Sequence, residues 1–312
     1  MKEEDSVSDR PVPSSARPRG PQGHSSNLQS PRTETAPSFE YLEHSIVKQQ
    51  RRMTAAEREE QTARFLNFKS AKAFKQVERF KDLYETKKQL GQGSFGQVRL
   101  GMHRKSGVPC AIKIIKKSLL SQAEIYETLM KQELEVLEKT DHPHITRVFE
   151  LLEDKRQYYV IMELVSGGNL LEKVIELKTM TEPLAADVIN QLLLSLNYMH
   201  SQGITHRDLK PENLLCEPSD DKKKLNVKLT DFGFACFYQK DQKLELSLGS
   251  PLYMAPELCA ETEYDQRVDV WSTGVIAYIL LSGMPPFVGQ SKDRIYASIQ
   301  HSQPAFNKEV WK

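Results

Sequence analysis

Thr205-His206-Arg207-Asp208-Leu209-Lys210-Pro211-Glu212-Asn213 sets a carboxylate, an ammonium and a side-chain amide into one short stretch. Moving a phosphoryl group from a nucleotide to a hydroxyl needs those three groups. Asp208 can accept the hydroxyl proton, and Lys210 can neutralise charge on the phosphate in transit. Asn213 can hold a metal through its carbonyl oxygen. A solvated loop could carry any one of them by chance; in this order they specify a reaction.

Upstream, Leu90-Gly91-Gln92-Gly93-Ser94-Phe95-Gly96-Gln97-Val98 reads GxGxxGxV. Its glycines let the backbone approach phosphate oxygens, so that N–H groups face the negative charge. Alone, such a loop also suits a dinucleotide-binding crossover. Its flanks decide: Val98 to Met102 continues as a strand, so the loop is expected to join two antiparallel strands and cover a nucleotide. The next strand, Cys110 to Ile115, carries Lys113 in an apolar run, which is costly without a partner. The expected partner is Glu133, on a helix through Tyr126 to Leu134 with Leu134 and Leu137 beside it. The alternative is one exposed acid among Glu124, Glu127, Glu135 and Glu138. Downstream, Thr230-Asp231-Phe232-Gly233 supplies a second carboxylate for magnesium, and Ala255-Pro256-Glu257 closes the segment that begins at Asp231.

With this ordered set the chain resembles the eukaryotic protein kinases from about Phe80 onward. The resemblance implies an α+β bilobal protein-kinase fold. Its N-lobe, 81–163, would be an antiparallel sheet with one main helix, and its C-lobe, 164–312, mainly helical. It implies ATP and Mg2+ as cofactors, with Asp208 as base, Lys113 and Lys210 on phosphates, Glu133 holding Lys113, and Asn213 and Asp231 on the metal. Leu90, Val98, Ala111 and Leu215 would face the purine, Met162 would stand behind it, and backbone groups of Glu163 and Val165 would bond its edge. Lys210, two residues after Asp208, resembles the serine/threonine branch. Ser250 sits where that branch keeps a small hydroxyl bonded to the catalytic Asp and Lys, followed by Pro251 and Leu252 lining a substrate pocket. Asp269 looks like the aspartate that ties the His-Arg-Asp backbone in place; a helix N-cap is its plainer reading.

Asp82-Leu83-Tyr84-Glu85, Asp141-His142-Pro143-His144-Ile145, Ser166-Gly167-Gly168-Asn169-Leu170 and Gly283-Met284-Pro285-Pro286-Phe287 are similar to the calcium/calmodulin-dependent group, most of all calcium-dependent protein kinases. Two positions depart from it. Asn169 stands where that group keeps a glutamate for the ribose and a basic substrate residue, leaving Glu172 and Glu212 to supply negative charge. His144 replaces the Asn of a His-Pro-Asn turn, an effect expected to stay local. Arg207 calls for an anion from the activation segment. Leu246 occupies the usual phosphoacceptor point, so the anion is expected from Glu245 or from phosphorylated Ser247. No EF-hand loop is present. The chain ends at Trp311-Lys312, where that group continues with further helices. The C-lobe is therefore expected to be truncated, as in a fragment or a degenerate product. That keeps a non-catalytic nucleotide- or partner-binding module open beside an ATP-dependent kinase for Ser/Thr hydroxyls of protein substrates.

Composition bounds the alternatives. The 312 residues are 39% hydrophobic and 27% charged, which suits a globular chain. A net charge of +1 gives no overall attraction to nucleic acid or membranes. Cys110, Cys216, Cys236 and Cys259 lack metal or CxxC spacing and read as reduced thiols of a cytoplasmic protein, with the nucleus also open. No signal peptide is recognisable, and Lys2 removes N-myristoylation. The apolar run Val275 to Leu281 is too short to span a bilayer and reads as a buried helix. Residues 1–40 form a Pro/Ser-rich segment expected to be disordered. Residues 41–80 read as a basic helical extension with a capping box at Thr54-Ala55-Ala56-Glu57. It could be a calmodulin target or membrane-surface element, or a helix packed on the small lobe or in solvent.

Overall fold

The computed structural model describes residues 75–92, 96–120, 124–219, 221, 224–238, 243–306 and 311. The 1–40 segment, the extension up to residue 74 with its capping box, and Gly93, Ser94 and Phe95 lie outside the described residues.

The first half builds a sheet because its β-branched and aromatic runs alternate or are buried throughout. In chain order the elements are β1 (Lys75–Gln76), α1 (Phe80–Leu83), β2 (Tyr84–Gln92), β3 (Gly96–His103), β4 (Pro109–Lys116), α2 (Lys117–Leu120), α3 (Glu124–Lys139), β5 (Val148–Glu153) and β6 (Gln157–Glu163). The six strands form one sheet in the order β1-β5-β6-β4-β3-β2. β4, in the middle, is buried from Pro109 to Ile115, hence its unbroken apolar character. Leu129, Met130, Leu134 and Leu137 turn one face of α3 into the core. Glu133 lies one helical turn from Leu129 and Leu137 and is carried onto that face.

The second half is mainly helical. It comprises α4 (Leu170–Leu177), α5 (Glu182–Ser201), β7 (Ile204–Thr205), β8 (Leu214–Cys216), β9 (Val227–Leu229), β10 (Cys236–Phe237), α6 (Pro256–Cys259), α7 (Arg267–Ser282) and α8 (Lys292–His301). β7 pairs with β10 and β8 with β9, and these two small ribbons carry the loops that bear Asp208 and Asp231. α5 and α7 pack together through Val188, Leu192, Leu196, Ile276 and Leu280, all nearly inaccessible. Among the described residues no helix is long and apolar enough to cross a membrane.

The structure corrects one expectation. Residues 75–80 are not the end of a helix: Lys75 and Gln76 pair in parallel with Leu152 and Glu153, and the Val77 N–H continues the ladder to the Glu153 carbonyl at 2.8 Å. A free sheet edge captures the backbone there. Phe80 then locks the entry, its ring stacked 3.8 Å from Tyr159 and 5.4 Å from Tyr84. The sheet is thus antiparallel except at this added edge. For Asp269 the structure separates the two readings: α7 starts at Arg267 with Gln266 as N-cap, so Asp269 lies inside the first turn and is not a cap, and its carboxylate bonds the backbone of His206 and Arg207.

Candidate active site

Between the sheet and the helical half lies a cavity of about 670 Å³, a volume that suits a nucleotide-sized ligand. Leu90, Gly91, Gln92, Val98, Ala111 and, at the end of β6, Met162 and Glu163 line it from the sheet, Val165 from the connection between halves, and Leu215 from β8. Lys113, Glu133, Lys210, Asn213 and Asp231 border it as well. Gly96 and Gln97 do not line it. A Cβ on Gly96 would overlap the Ile114 carbonyl, so that glycine serves the close approach of β3 to β4. Gly91 has open space where a Cβ would be, which leaves the backbone free to approach a ligand.

Three distant segments meet at Lys113. Its ammonium bonds the Glu133 carboxylate and, at 3.2 Å, Asp231 Oδ1. Lys113 and Glu133 are 3% and 1% exposed, so each needs the other. Burial alone would lower the Lys113 pKa, but the two carboxylates outweigh it and hold the lysine charged. Burial would likewise raise Asp231; the Lys113 ammonium, then His206 and Lys210, reverse that and keep it ionised.

The second cluster is built by local turns. Lys210 Nζ bonds Asp208 Oδ2 at 2.7 Å and donates to Ser250 Oγ at 2.9 Å. Asn213 Nδ2 donates to the Asp208 carbonyl at 2.8 Å, which orients its amide. Asp208 Oδ1 is buried without a donor. A buried carboxylate oxygen in that condition suits an incoming hydroxyl. Arg207 and Asp231 both have left-handed backbones, φ 66° and 59°, a strain of about 1–3 kcal/mol each that sites of chemistry tend to hold. Asp269 stabilises the first: its carboxylate accepts from the His206 and Arg207 N–H groups, both at 2.9 Å, and from His200 Nε2 at the same distance.

Asn213 and Asp231 bring an amide oxygen and a carboxylate to the cavity. Among the described residues no group of three His, Cys, Asp or Glu could hold a metal alone. Two hard oxygen donors therefore fit an ion that takes its remaining ligands from phosphate and water, as magnesium does.

Sequence reasoning missed Leu100, Leu137, Thr146, Leu164, Thr230 and Phe232 as lining residues. Leu164, between two expected hinge positions, carried a signal; Thr146 carried none. Asn169 caps α4 in a reciprocal box with Glu172, and both line the cavity with Glu212, so two carboxylates remain near the departing position. His144 does more than shape a turn. Its Nδ1 lies 3.2 Å from the Val227 carbonyl, and its own carbonyl accepts from the Leu229 N–H and the Ser195 hydroxyl, tying the segment after α3 to β9 and α5. Neither proposed anion meets Arg207: Glu245 and Ser247 are exposed, and the guanidinium bonds the Phe234 carbonyl and the Tyr264 hydroxyl instead.

His206 is fully buried, and burial lowers its pKa below the ordinary 6.5. The unfolded chain then binds more protons than the folded one, so stability falls as pH drops below that value. Replacement by Asn should flatten the fall in unfolding free energy between neutral and mildly acidic pH. Parallel slopes for the two proteins in denaturant titrations would disprove it.

A protein kinase domain profile matches residues 84–311. Myosin light chain kinase A of Dictyostelium discoideum is 39% identical over 229 residues, 73% of this chain and 76% of that protein. Calcium/calmodulin-dependent protein kinase type 1 of Macrobrachium nipponense is 40% identical over 231 residues, 74% of this chain and 65% of that one. Calcium-dependent protein kinase 5 of Plasmodium berghei is 37% identical over 230 residues, 73% of this chain but 40% of its own length. The chain thus spans under two thirds of the last two.

Proposed function

Because the chain belongs to the protein kinase domain family, as an ATP-dependent serine/threonine protein kinase, we propose that Asp208 takes the proton from a protein Ser or Thr hydroxyl. One observation carries this assignment: Asp208 Oδ1 is buried with no donor while Oδ2 is held by Lys210. The hydroxyl oxygen would be placed by that carboxylate, with Ser250 and the Pro251–Leu252 turn beneath the peptide. Lys210 and Lys113 meet phosphate oxygens, and Glu133 keeps Lys113 in place. Leu90, Val98, Ala111, Met162 and Leu215 enclose the purine, and the Glu163 and Val165 backbones bond its edge. ATP, when bound, supplies the phosphoryl group. Mg2+ would be held by Asn213 and Asp231 and would neutralise phosphate charge.

The names of the relatives make calmodulin a candidate partner for the 41–80 segment. Four unpaired, buried cysteines favour a reducing compartment, the cytoplasm or the nucleus. The test is transfer of labelled phosphate from ATP to one peptide carrying Ser, Thr or Tyr, with Mg2+ or with excess chelator. Ser and Thr should be labelled, Tyr should stay at background, and chelation should abolish transfer. Labelling of Tyr alone, or transfer surviving chelation, would sink the reading.

A further inference from the structure

Arg207 is 5% exposed, so its charge lies inside the protein beside the catalytic loop. A buried guanidinium ordinarily faces an anion, yet among the described residues none forms an ion pair with it. Nε donates to the Phe234 carbonyl at 2.6 Å and Nη1 to the Tyr264 hydroxyl at 3.1 Å, while Nη2 has no partner. The negative charge it does have close by is Asp269, held against its own backbone N–H.

Tyr264 meets the guanidinium where that anion would be expected. It is 2% exposed. Its N–H and its carbonyl each bond Leu244 at 3.0 Å. Its hydroxyl accepts from Arg207 and donates to the Leu246 carbonyl at 2.6 Å, which uses the proton and one lone pair of a phenol. One side chain thus spans the catalytic loop and residues 244–246. Three residues on, Gly249 (φ 125°) runs against the Arg207 carbonyl, where a Cβ would come within 2.7 Å. The next residue is Ser250, bonded to Lys210.

We propose that Tyr264 is a positioning residue that holds the activation segment on the catalytic loop, so that the substrate platform at Ser250 is set without phosphorylation of the segment. The inference rests on the kinase reading above. Glu245 and Ser247 are then bystanders: both are exposed, and the Ser247 hydroxyl is engaged with the Leu258 carbonyl at 2.9 Å.

Tyr264→Phe removes the hydroxyl and leaves the ring and both backbone bonds. Two hydrogen bonds, one to a charged group, are lost, so kcat should fall about tenfold or more. KM for ATP should stay within about twofold, since the residue touches no nucleotide-lining position. Hydrogen exchange should quicken over 244–250 alone. Glu245→Gln, Ser247→Ala and phosphatase-treated wild type should keep kcat within about twofold. An unchanged kcat in Tyr264→Phe overturns the proposal. So does a larger loss from phosphatase or from either of the other substitutions, which would return the role to an anion. A fall in kcat accompanied by weaker ATP binding and a lower unfolding midpoint would make Tyr264 a general core residue and overturn it too. Wild type that binds ATP but transfers nothing would instead defeat the kinase reading, and this inference with it.

Discussion

Asp208→Asn is expected to lower kcat by about 10³-fold, within the range that a positioned general base contributes, and to leave ATP affinity nearly unchanged. Asn has the same shape and keeps an oxygen for Lys210, now 2.7 Å from Oδ2. It loses the basicity, and half of its amide becomes a donor. A donor at Oδ1, an atom now buried without a partner, would face the acceptor hydroxyl with the wrong polarity. Nucleotide contacts are made by other residues along the cavity, so binding should persist. Single-turnover transfer together with equilibrium ATP binding measures both quantities. Retention of more than a tenth of the wild-type rate would remove Asp208 from the role of base.

Lys113→Met should be the most damaging change to stability among the site variants. It deletes the one ammonium that Glu133 and Asp231 share and leaves Glu133, 1% exposed, as a buried carboxylate without a counter-charge. Breaking such a pair costs about 3–5 kcal/mol. Adding Glu133→Leu should restore much of that stability, because two well-packed apolar groups replace two buried charges at little net cost. Activity should not return with it, since Lys113 is assigned to the phosphates. Chemical denaturation and transfer assays on the single and double variants separate the two effects. A double variant as unstable as Lys113→Met would mean that the loss comes from packing and not from the stranded carboxylate.

The chemistry was legible where it is local. Asp208, Lys210 and Asn213 stand within one turn-rich stretch, so their order in sequence nearly dictates their order in space. The Asn213 amide reaches the Asp208 carbonyl through that turn alone. Lys113 with Glu133 could also be anticipated, because a lysine inside an apolar strand demands a carboxylate and helical spacing puts only certain acids on the inner face of α3. The β1 edge was not legible. Lys75 and Gln76 have no intrinsic strand signal, and they form one because an edge of β5 offers unpaired backbone groups. Asp269 near a helix start admitted two readings, and only the placement of α7 under the catalytic loop separated them.

The charge on Arg207 draws the same boundary. Its position beside Asp208 was sufficient to say that a buried cation needs compensation, and Glu245 and Ser247 were the near candidates along the chain. The Arg207 side chain meets the Phe234 carbonyl and the hydroxyl of Tyr264, which lies beyond the Ala255-Pro256-Glu257 turn and reaches Arg207 because the chain after that turn folds back to pair with Leu244 of the activation segment. Residue type and short spacing determined which groups this chain brings to phosphoryl transfer, since bond lengths and turn geometry leave few ways to arrange neighbours. Tertiary structure alone decided which distant hydroxyl or carboxylate faces each buried charge. That depends on where long loops close, and loop closure changes slowly with length and leaves no periodic mark in the sequence.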